Sequence, residues 1–308
     1  PFYDYSQFTL YKPTPLVDFQ GFIFVPENQD AAFIYSGSND NTVRKIDSSG
    51  TEVWTFSGHT ASIRGVAVDS SGNVYSGSDD NTVRKIDSSG TEVWTFSGHT
   101  SSIRGVAVDS SGNVYSSSDD QTIKKIDSSG IEVWTFSGHT ATVLAVAVDS
   151  SGNVYSSSFD QTIKKIDSSG IEVWTFSGHT DGIRGVAVDS SDNVYSASDD
   201  GTVRKIDSSG TEVWTFSGNT NKVFAVAVDS SGNVYSGAFD QTVKKIDSFG
   251  AEVWTFSGNT SSVRGLAADS SGNVYSGADD DTVRKIDSSG TEVWTFSGHI
   301  GNVSAVAV

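Results

Sequence analysis

The sequence lacks cysteine and methionine entirely, and it has few basic residues for its length. Without cysteine, neither a disulfide nor a thiolate metal site is possible. Lys and Arg number 20 against 38 Asp and Glu, which gives a net charge of −18 at pH 7. This charge argues against nucleic acid as a partner, because binding a phosphate backbone requires a basic surface. No apolar run has the length of a membrane span or a secretory leader, so we expect no membrane insertion.

What the sequence has instead is internal repetition with a period of 40 residues. Every tryptophan in the chain belongs to one series with this spacing, which consists of Trp54, Trp94, Trp134, Trp174, Trp214, Trp254 and Trp294. A fixed period of this length is typical of repeat proteins, in which neighbouring copies bury each other's apolar faces. The residues within one copy therefore decide the fold.

Each copy contains four short runs rich in Val, Ile, Tyr, Trp and Thr, separated by Asp, Ser, Gly and Asn. In the second copy these runs are Ile63–Val68, Val74–Gly77, Thr82–Ile86 and Glu92–Phe96, here called strands a, b, c and d. The gaps between them are too short for parallel crossovers, so consecutive strands must pair as antiparallel neighbours. Radial stacking of such four-stranded units around an axis covers their apolar faces. The sequence therefore predicts an all-β fold, a β-propeller.

The order of the strands along the chain predicts how the ring closes. The first copy begins with strand b near Phe33, and a lone strand a, Val303–Val308, ends the chain. We therefore expect seven blades over residues 29–308, with one blade assembled from both ends of the chain. Such closure would leave the ring without an open seam.

The first 28 residues differ from the repeats, since they contain all four prolines and are rich in Phe and Tyr. We interpret residues 1–28 as an N-terminal arm or linker, which could also tether the ring to a larger assembly. An alternative is a set of degenerate strands at Phe8–Lys12, Leu16–Gly21 and Gly21–Val25, which would give eight blades. Because the chain starts at proline and lacks methionine, we expect a processed chain or a fragment.

The repeat resembles the WD-repeat family of propellers in three motifs. These are Gly98-His99 after strand d, Ser76 and Ser78 in strand b, and Asp80–Val83 before strand c. The resemblance recurs seven times over roughly residues 33–308, although the Trp-Asp dipeptide of that family is replaced by Ile86-Asp87. The EVWTF and DSSGNVY segments are also similar to bacterial quinoprotein-like and secreted propeller repeats.

The WD resemblance implies a buried hydrogen-bond network in each blade, built from His, Ser or Thr, and Asp. The histidines are His59, His99, His139, His179 and His299, and the aspartates are Asp40, Asp80, Asp120, Asp160, Asp200, Asp240 and Asp280. Asn219 and Asn259 take the histidine position in the remaining two copies. Because the same set recurs around the ring, we interpret it as structural and expect no catalytic triad.

The DSSGN turns, such as Asp69–Asn73, could in principle bind calcium, but each supplies one carboxylate. We interpret them as plain turns in which Asp accepts backbone hydrogen bonds, which also explains much of the acidity. We expect neither a metal site nor a cofactor.

The positions where the copies differ point to a candidate site. The second residue of strand a is Arg64, Arg104, Leu144, Arg184, Phe224, Arg264 or Ser304, and the b–c turn of the same blade has Asp79, Asp119, Phe159, Asp199, Phe239, Asp279 or Asn39. Arg accompanies Asp in four copies, and an apolar residue accompanies Phe in two, so the two positions are expected to touch on one rim of the ring. The alternative is structural, since a surface Arg–Asp pair contributes only about 0–1 kcal/mol.

The WD resemblance implies that this rim is a partner-binding face, with Phe159 and Phe239 in apolar spots among charged pairs. The leading hypothesis is a non-enzymatic binding or assembly module for a protein partner, with an extracellular or virion surface favoured over the cytoplasm. A glycan-binding adhesin or receptor-binding protein is the alternative. A propeller enzyme is disfavoured, because Lys222, Asp181 and Asp192 are poor candidates for a catalytic site.

Overall fold

The computed structural model describes residues 33–308, and the following account refers to that part of the chain. It consists of 28 β-strands in seven antiparallel sheets of four strands each. No helix of the described residues has the length and apolarity to cross a membrane. The seven sheets are the blades of a β-propeller, as the repeat predicts.

The strand bounds follow the 40-residue period closely. In chain order, β1 to β9 are Phe33–Ser38, Val43–Asp47, Glu52–Phe56, Ile63–Val68, Val74–Ser78, Val83–Ile86, Glu92–Phe96, Ile103–Val108 and Val114–Ser118. Strands β10 to β19 are Ile123–Ile126, Glu132–Phe136, Val143–Val148, Val154–Ser158, Ile163–Ile166, Glu172–Phe176, Ile183–Val188, Val194–Ser198, Val203–Ile206 and Glu212–Phe216. Strands β20 to β28 are Val223–Val228, Val234–Ala238, Val243–Ile246, Glu252–Phe256, Val263–Ala268, Val274–Ala278, Val283–Ile286, Glu292–Phe296 and Val303–Ala307.

The ring closes through its last strand. Strand β28 pairs antiparallel with β1, with Tyr35 opposite Ala307, so blade 1 has the order β28-β1-β2-β3. Blades 2 to 7 follow as consecutive groups of four strands, from β4–β7 to β24–β27. The predicted seven-blade closure is confirmed, and the ring is complete without an eighth blade. The predicted arm at residues 1–28 and the segments Phe8–Lys12, Leu16–Gly21 and Gly21–Val25 lie outside the described residues.

The core lies between adjacent blades and not within any one of them. In a representative interface, Tyr75 and Phe96 of blade 2 pack against Ile103, Val106 and Val114 of blade 3. Side chains of this size each stabilise the fold by roughly 1.5–3 kcal/mol when fully buried. The closing interface has the same composition, since Tyr275 and Phe296 of blade 7 pack on residues of blade 1 that include Ile34 and Val306. Each blade therefore needs both of its neighbours to bury its apolar side chains.

The repeated tryptophan joins the outer edges of successive blades. The indole Nε1 of Trp54 in blade 1 donates to the carbonyl oxygen of Ser88 in blade 2, at 3.2 Å. The indole also packs on Gly90, which has a φ of 91°, and a Cβ at this position would lie 3.1 Å from the indole ring, a contact so short that the ring would have to shift. The series closes where Trp294 of blade 7 donates to Ser48 of blade 1, at 3.0 Å.

The DSSGN turns are closed by their own aspartate. Asp69 Oδ1 accepts the backbone amides of Ser71 and Asn73, and Oδ2 accepts the Asn73 amide group and the Tyr75 hydroxyl. Gly72 has a φ of 79°, and Asp192 replaces glycine at this position in blade 5 with a φ of 62°. Both carboxylate oxygens therefore accept hydrogen bonds from the turn or from the strand that follows it. These hydrogen bonds offset the cost of removing the charged carboxylate from water.

Candidate functional site at the channel mouth

The innermost strand of each blade is strand a, and the seven copies line a central channel. Neighbouring copies approach closely, because a Cβ on Gly65 would lie 2.9 Å from the Val106 nitrogen of the next blade. At one end the channel widens into a concavity of about 350 Å³. Its wall includes the second residue of strand a from every blade. We call these seven residues the mouth ring: Arg64, Arg104, Leu144, Arg184, Phe224, Arg264 and Ser304. The positions where the copies differ thus surround one opening.

Backbone hydrogen bonds hold the mouth ring against the b–c turns. The Asp79 amide donates to the Ser62 carbonyl at 2.9 Å, just before strand a begins. The same bond is made by the Phe159 amide to Thr142 at 3.0 Å and by the Asn39 amide to Asn302 at 2.8 Å. Because this bond does not depend on the side chain, the two positions face each other in every blade. Their side chains can therefore change only as pairs.

The predicted Arg–Asp contacts are present in all four blades that have them. The closest nitrogen–oxygen distances are 2.6 Å for Arg64–Asp79, 2.5 Å for Arg104–Asp119, 2.6 Å for Arg184–Asp199 and 2.7 Å for Arg264–Asp279. Each arginine uses its Nε and Nη2 donors on its own aspartate. Ser304 donates to Asn39 Oδ1 at 3.2 Å, so the closing blade also has a polar pair.

The apolar members of the site are only partly exposed. Phe159 and Phe239 are 41% and 49% exposed, whereas Phe224 is only 8% exposed. Phe239 packs edge-on against Phe224, with 6.0 Å between ring centroids. Phe224 lies between two guanidinium groups, at 5.1 Å from Arg184 and 4.2 Å from Arg264. The exposed apolar surface of that blade therefore belongs to Phe239, while Phe224 supports the arginines.

Two polar residues of the mouth were not recognised as members of the site from the sequence. Lys222 Nζ donates to Asp199 of the preceding blade at 3.0 Å, and Asn302 Nδ2 donates to Asp279 of the preceding blade at 2.8 Å. Both contacts cross between blades, and comparison of pairs within one copy does not detect such a link. Lys222 and Asn302 occupy the same position of the repeat, the residue before strand a. The other five copies have Ser, Thr or Gly there, and this difference was the signal in the sequence.

The implied histidine network has the geometry that the WD resemblance indicates. His59 Nδ1 lies 2.8 Å from Asp80 Oδ2, and His59 Nε2 lies 2.8 Å from the Ser76 hydroxyl. Burial lowers the pKa of His59, although Asp80 opposes the shift. Burial alone would raise the pKa of Asp80, but hydrogen bonds from Thr82 and His59 outweigh it and hold the pKa at about 2. A neutral imidazole thus donates from Nδ1 to a carboxylate and accepts from Ser76 at Nε2.

The same Ser–His–Asp arrangement recurs with His99, His139, His179 and His299. It resembles a catalytic triad only in its hydrogen bonds. The Ser76 side chain is fully buried and His59 nearly so, which leaves no path for a substrate to the hydroxyl. The network instead joins the d–a connection to strand b and to the b–c turn of the same blade.

Two family models match separate parts of this chain. Residues 39–159 are similar to the family described as outer membrane protein assembly factor BamB. Residues 180–273 are similar to the family described as the lambda-carrageenase beta-propeller domain. Each match covers less than half of the chain, and a comparison with curated proteins found no match. Together with the seven blades, the two matches show a β-propeller repeat protein.

Proposed function

We propose that this propeller is a non-enzymatic binding module that holds a protein partner on the face around the channel mouth. The observation that carries the proposal is where the seven copies differ. Strand d is EVWTF in every copy, whereas the d–a connection, the second and third residues of strand a, and the b–c turn vary from blade to blade. The backbone bonds between b–c turns and d–a connections bring these positions to one face. The c–d turns at the opposite face vary at fewer positions, with Phe249 in place of Ser and with Ile131, Ile171 and Ala251 in place of Thr.

The composition of this face supports recognition of another protein. Exposed Phe159 and Phe239 lie beside partly exposed arginines, and aromatic residues with arginine are enriched in the energetically important centre of protein interfaces. The arginine–phenylalanine half of the mouth breaks the symmetry of the ring and offers a partner a defined orientation.

The test replaces both exposed phenylalanines, in the variant Phe159→Asp with Phe239→Asp. The matched control is Ile131→Asp with Ile171→Asp, which makes the same kind of change at two exposed residues after c–d turns, at the opposite face. Partners are identified by crosslinking and quantitative mass spectrometry in extracts of the native source, with circular dichroism and Tm as checks of folding. We expect recovery of the partner to fall at least tenfold in the first variant and to persist in the control. Equal recovery with both variants would overturn the proposal.

A polysaccharide is the second candidate ligand. The segment similar to the carrageenase propeller domain, residues 180–273, includes Arg184, Phe224 and Phe239 of the mouth. A glycan array probed with the wild type and the same two double variants distinguishes the candidates. Binding to a glycan that is lost only in the phenylalanine variant would replace the protein partner with a carbohydrate.

A further inference from the structure

The four arginines of the mouth ring differ in the use of their third nitrogen. Arg64 Nη1 donates to Asn39 Oδ1 of the preceding blade at 2.9 Å, and Arg104 Nη1 lies 3.6 Å from Asp79 Oδ1 of the preceding blade. In blade 2, all three guanidinium nitrogens therefore have an acceptor in the ring. In blade 3, Arg104 Nη1 has no hydrogen bond, but a second carboxylate, that of Asp79, lies within ion-pair distance and lowers its attraction for an external anion.

Arg184 and Arg264 leave Nη1 free. Their Nε and Nη2 donors hold Asp199 and Asp279, and Nη1 of each has no hydrogen-bond acceptor within residues 33–308. Both side chains are partly exposed, at 27% and 34%, and both line the concavity at the channel mouth. Phe224 lies between them, so both guanidinium groups are fixed on the same ring. Two donors without an acceptor in the described residues therefore line the same concavity, and contact with Phe224 restricts both of their side chains.

The ion pairs in this half of the mouth contain one more cation than anion. Arg184, Lys222 and Arg264 are paired with Asp199 and Asp279, while exposed Asp181 in the d–a connection of blade 5 is outside these pairs. In the other half, Arg64 and Arg104 balance Asp79 and Asp119, for a net charge of zero. The two aspartates beside Phe224 are further held by Lys222 and by Asn302, so they cannot readily swing across to Nη1.

We propose that Arg184 Nη1 and Arg264 Nη1 form a subsite for a carboxylate, which a Glu or Asp side chain of the partner supplies. This inference rests on the proposed function. Arginine binds carboxylates through charge-assisted hydrogen bonds, and a guanidinium that is already oriented loses little entropy when it does so. The site lies off the channel axis, over Phe224, so the acidic side chain fixes where the partner sits on the ring.

The first experiment uses acetate as the probe and needs no partner. The Nε–Hε signals of the four arginines are followed by NMR during a titration of acetate against chloride at constant ionic strength. We expect saturable shifts at Arg184 and Arg264 and at most a third of that size at Arg64 and Arg104. Equal shifts at all four arginines, or none, would show that no such subsite exists.

Variants separate the subsite from general charge effects. Arg184→Gln with Arg264→Gln is expected to abolish saturable acetate binding, whereas Arg84→Gln with Arg204→Gln, which removes the same two charges from the c strands of blades 2 and 5, retains it. Arg264→Lys keeps the positive charge and is the variant to use if the double variant unfolds. It is expected to weaken acetate binding at least threefold.

A parallel titration with methyl sulfate tests the ligand class. Binding of methyl sulfate ten times tighter than acetate would overturn the carboxylate assignment in favour of a sulfated glycan.

The partner then distinguishes failure of the subsite from failure of the proposed function. Loss of the partner in both the phenylalanine and the arginine double variants supports both ideas. If only the phenylalanine variant loses the partner, the face binds protein but the subsite assignment is wrong. If acetate binds as expected and neither variant affects the partner, the proposed function is wrong while the anion site remains.

Discussion

At the scale of single residues, one position of the repeat is histidine in five blades and asparagine in two, so its contribution can be compared between blades. Asn219 takes the histidine position in blade 6, where its Nδ2 is buried without a partner and its Oδ1 accepts from Ser236 at a long 3.4 Å. Asp240 accepts from the Thr220 hydroxyl, at 2.9 Å, and lacks the histidine bond found in other blades. An unsatisfied buried donor costs about 1–3 kcal/mol. Blade 6 therefore has a buried unsatisfied donor at this position, whereas in blade 7 the Nδ2 of Asn259 donates to the Gln241 carbonyl at 3.4 Å.

We predict that Asn219→His stabilises the protein. The imidazole would bond both Ser236 and Asp240, as His179 bonds Ser196 and Asp200 at 2.8 and 2.7 Å in the preceding blade. The expected gain is about 1 kcal/mol in the free energy of unfolding, measured by urea denaturation. Asn221→His, the same change at an exposed position two residues on, is the control and should leave stability within about 0.5 kcal/mol. A variant at Asn219 no more stable than this control would contradict the prediction.

The sequence predicted the side-chain pairs within one blade, but it did not predict the contacts between arginine and phenylalanine side chains of different blades. The link between Arg64 and Asp79 was predictable because a backbone hydrogen bond keeps the two positions in contact in every copy. The stacking of Arg184 and Arg264 on Phe224 was not, since it joins three different copies. Phe224 is buried for this reason, because the arginines of the two neighbouring blades cover its ring.

At the scale of elements, the c–d turn of one blade is the docking surface for the tryptophan of the previous blade. The tryptophan of strand d and the glycine of the c–d turn are both invariant among the seven copies. Their contact was not evident in the sequence, because nothing in a single copy shows that strand d touches the next unit. The glycine of the turn has a double role, with a positive φ and a flat face for the indole. Replacing glycine by alanine at two positive-φ positions, of which only one contacts an indole, separates the two roles.

We predict that Gly130→Ala destabilises the ring more than Gly201→Ala. Both glycines have a positive φ, of 88° and 81°, so alanine strains both backbones by about 1–2 kcal/mol. A Cβ at Gly130 would also lie 3.0 Å from the Trp94 ring, whereas at Gly201 its nearest neighbour is at 3.6 Å. The difference between the two variants in the free energy of unfolding should be about 1 kcal/mol or more. Equal losses would mean that the joint between blades tolerates displacement of the indole.

At the scale of the whole molecule, counting strands in the sequence was enough to predict the closure. Seven copies of strands b, c and d with a final lone strand a leave one arrangement in which every sheet has four strands. The register of β28 on β1 confirms this arrangement, with Ser36 opposite Val306. The location of the candidate site at the channel mouth required the structure, because the sequence does not show how wide the channel is or which side chains enter it.

The last strand should therefore hold the ring together, and we predict that deletion of residues 303–308 abolishes its cooperative folding. The deletion removes Val303 and Val306 from the core that they share with Tyr275 and Phe296, and it uncovers Ile34. At roughly 1.5–3 kcal/mol for each of these buried side chains, the loss approaches the whole stability of a typical domain. It also leaves β1 as an unpaired edge, which favours association with other chains.

Size-exclusion chromatography with light scattering and thermal unfolding measure the outcome of this deletion. Ile300→Ser is the control, because Ile300 precedes the same strand but is 87% exposed. The control should keep the oligomeric state and the Tm of the wild type, whereas the truncated chain should form larger oligomers or lose its unfolding transition. A truncated chain with the oligomeric state and the Tm of the full ring would show that six complete blades and a three-stranded remnant are stable alone. Closure would then contribute little to stability, and the main effect of β28 would be to place Ser304 in the mouth ring.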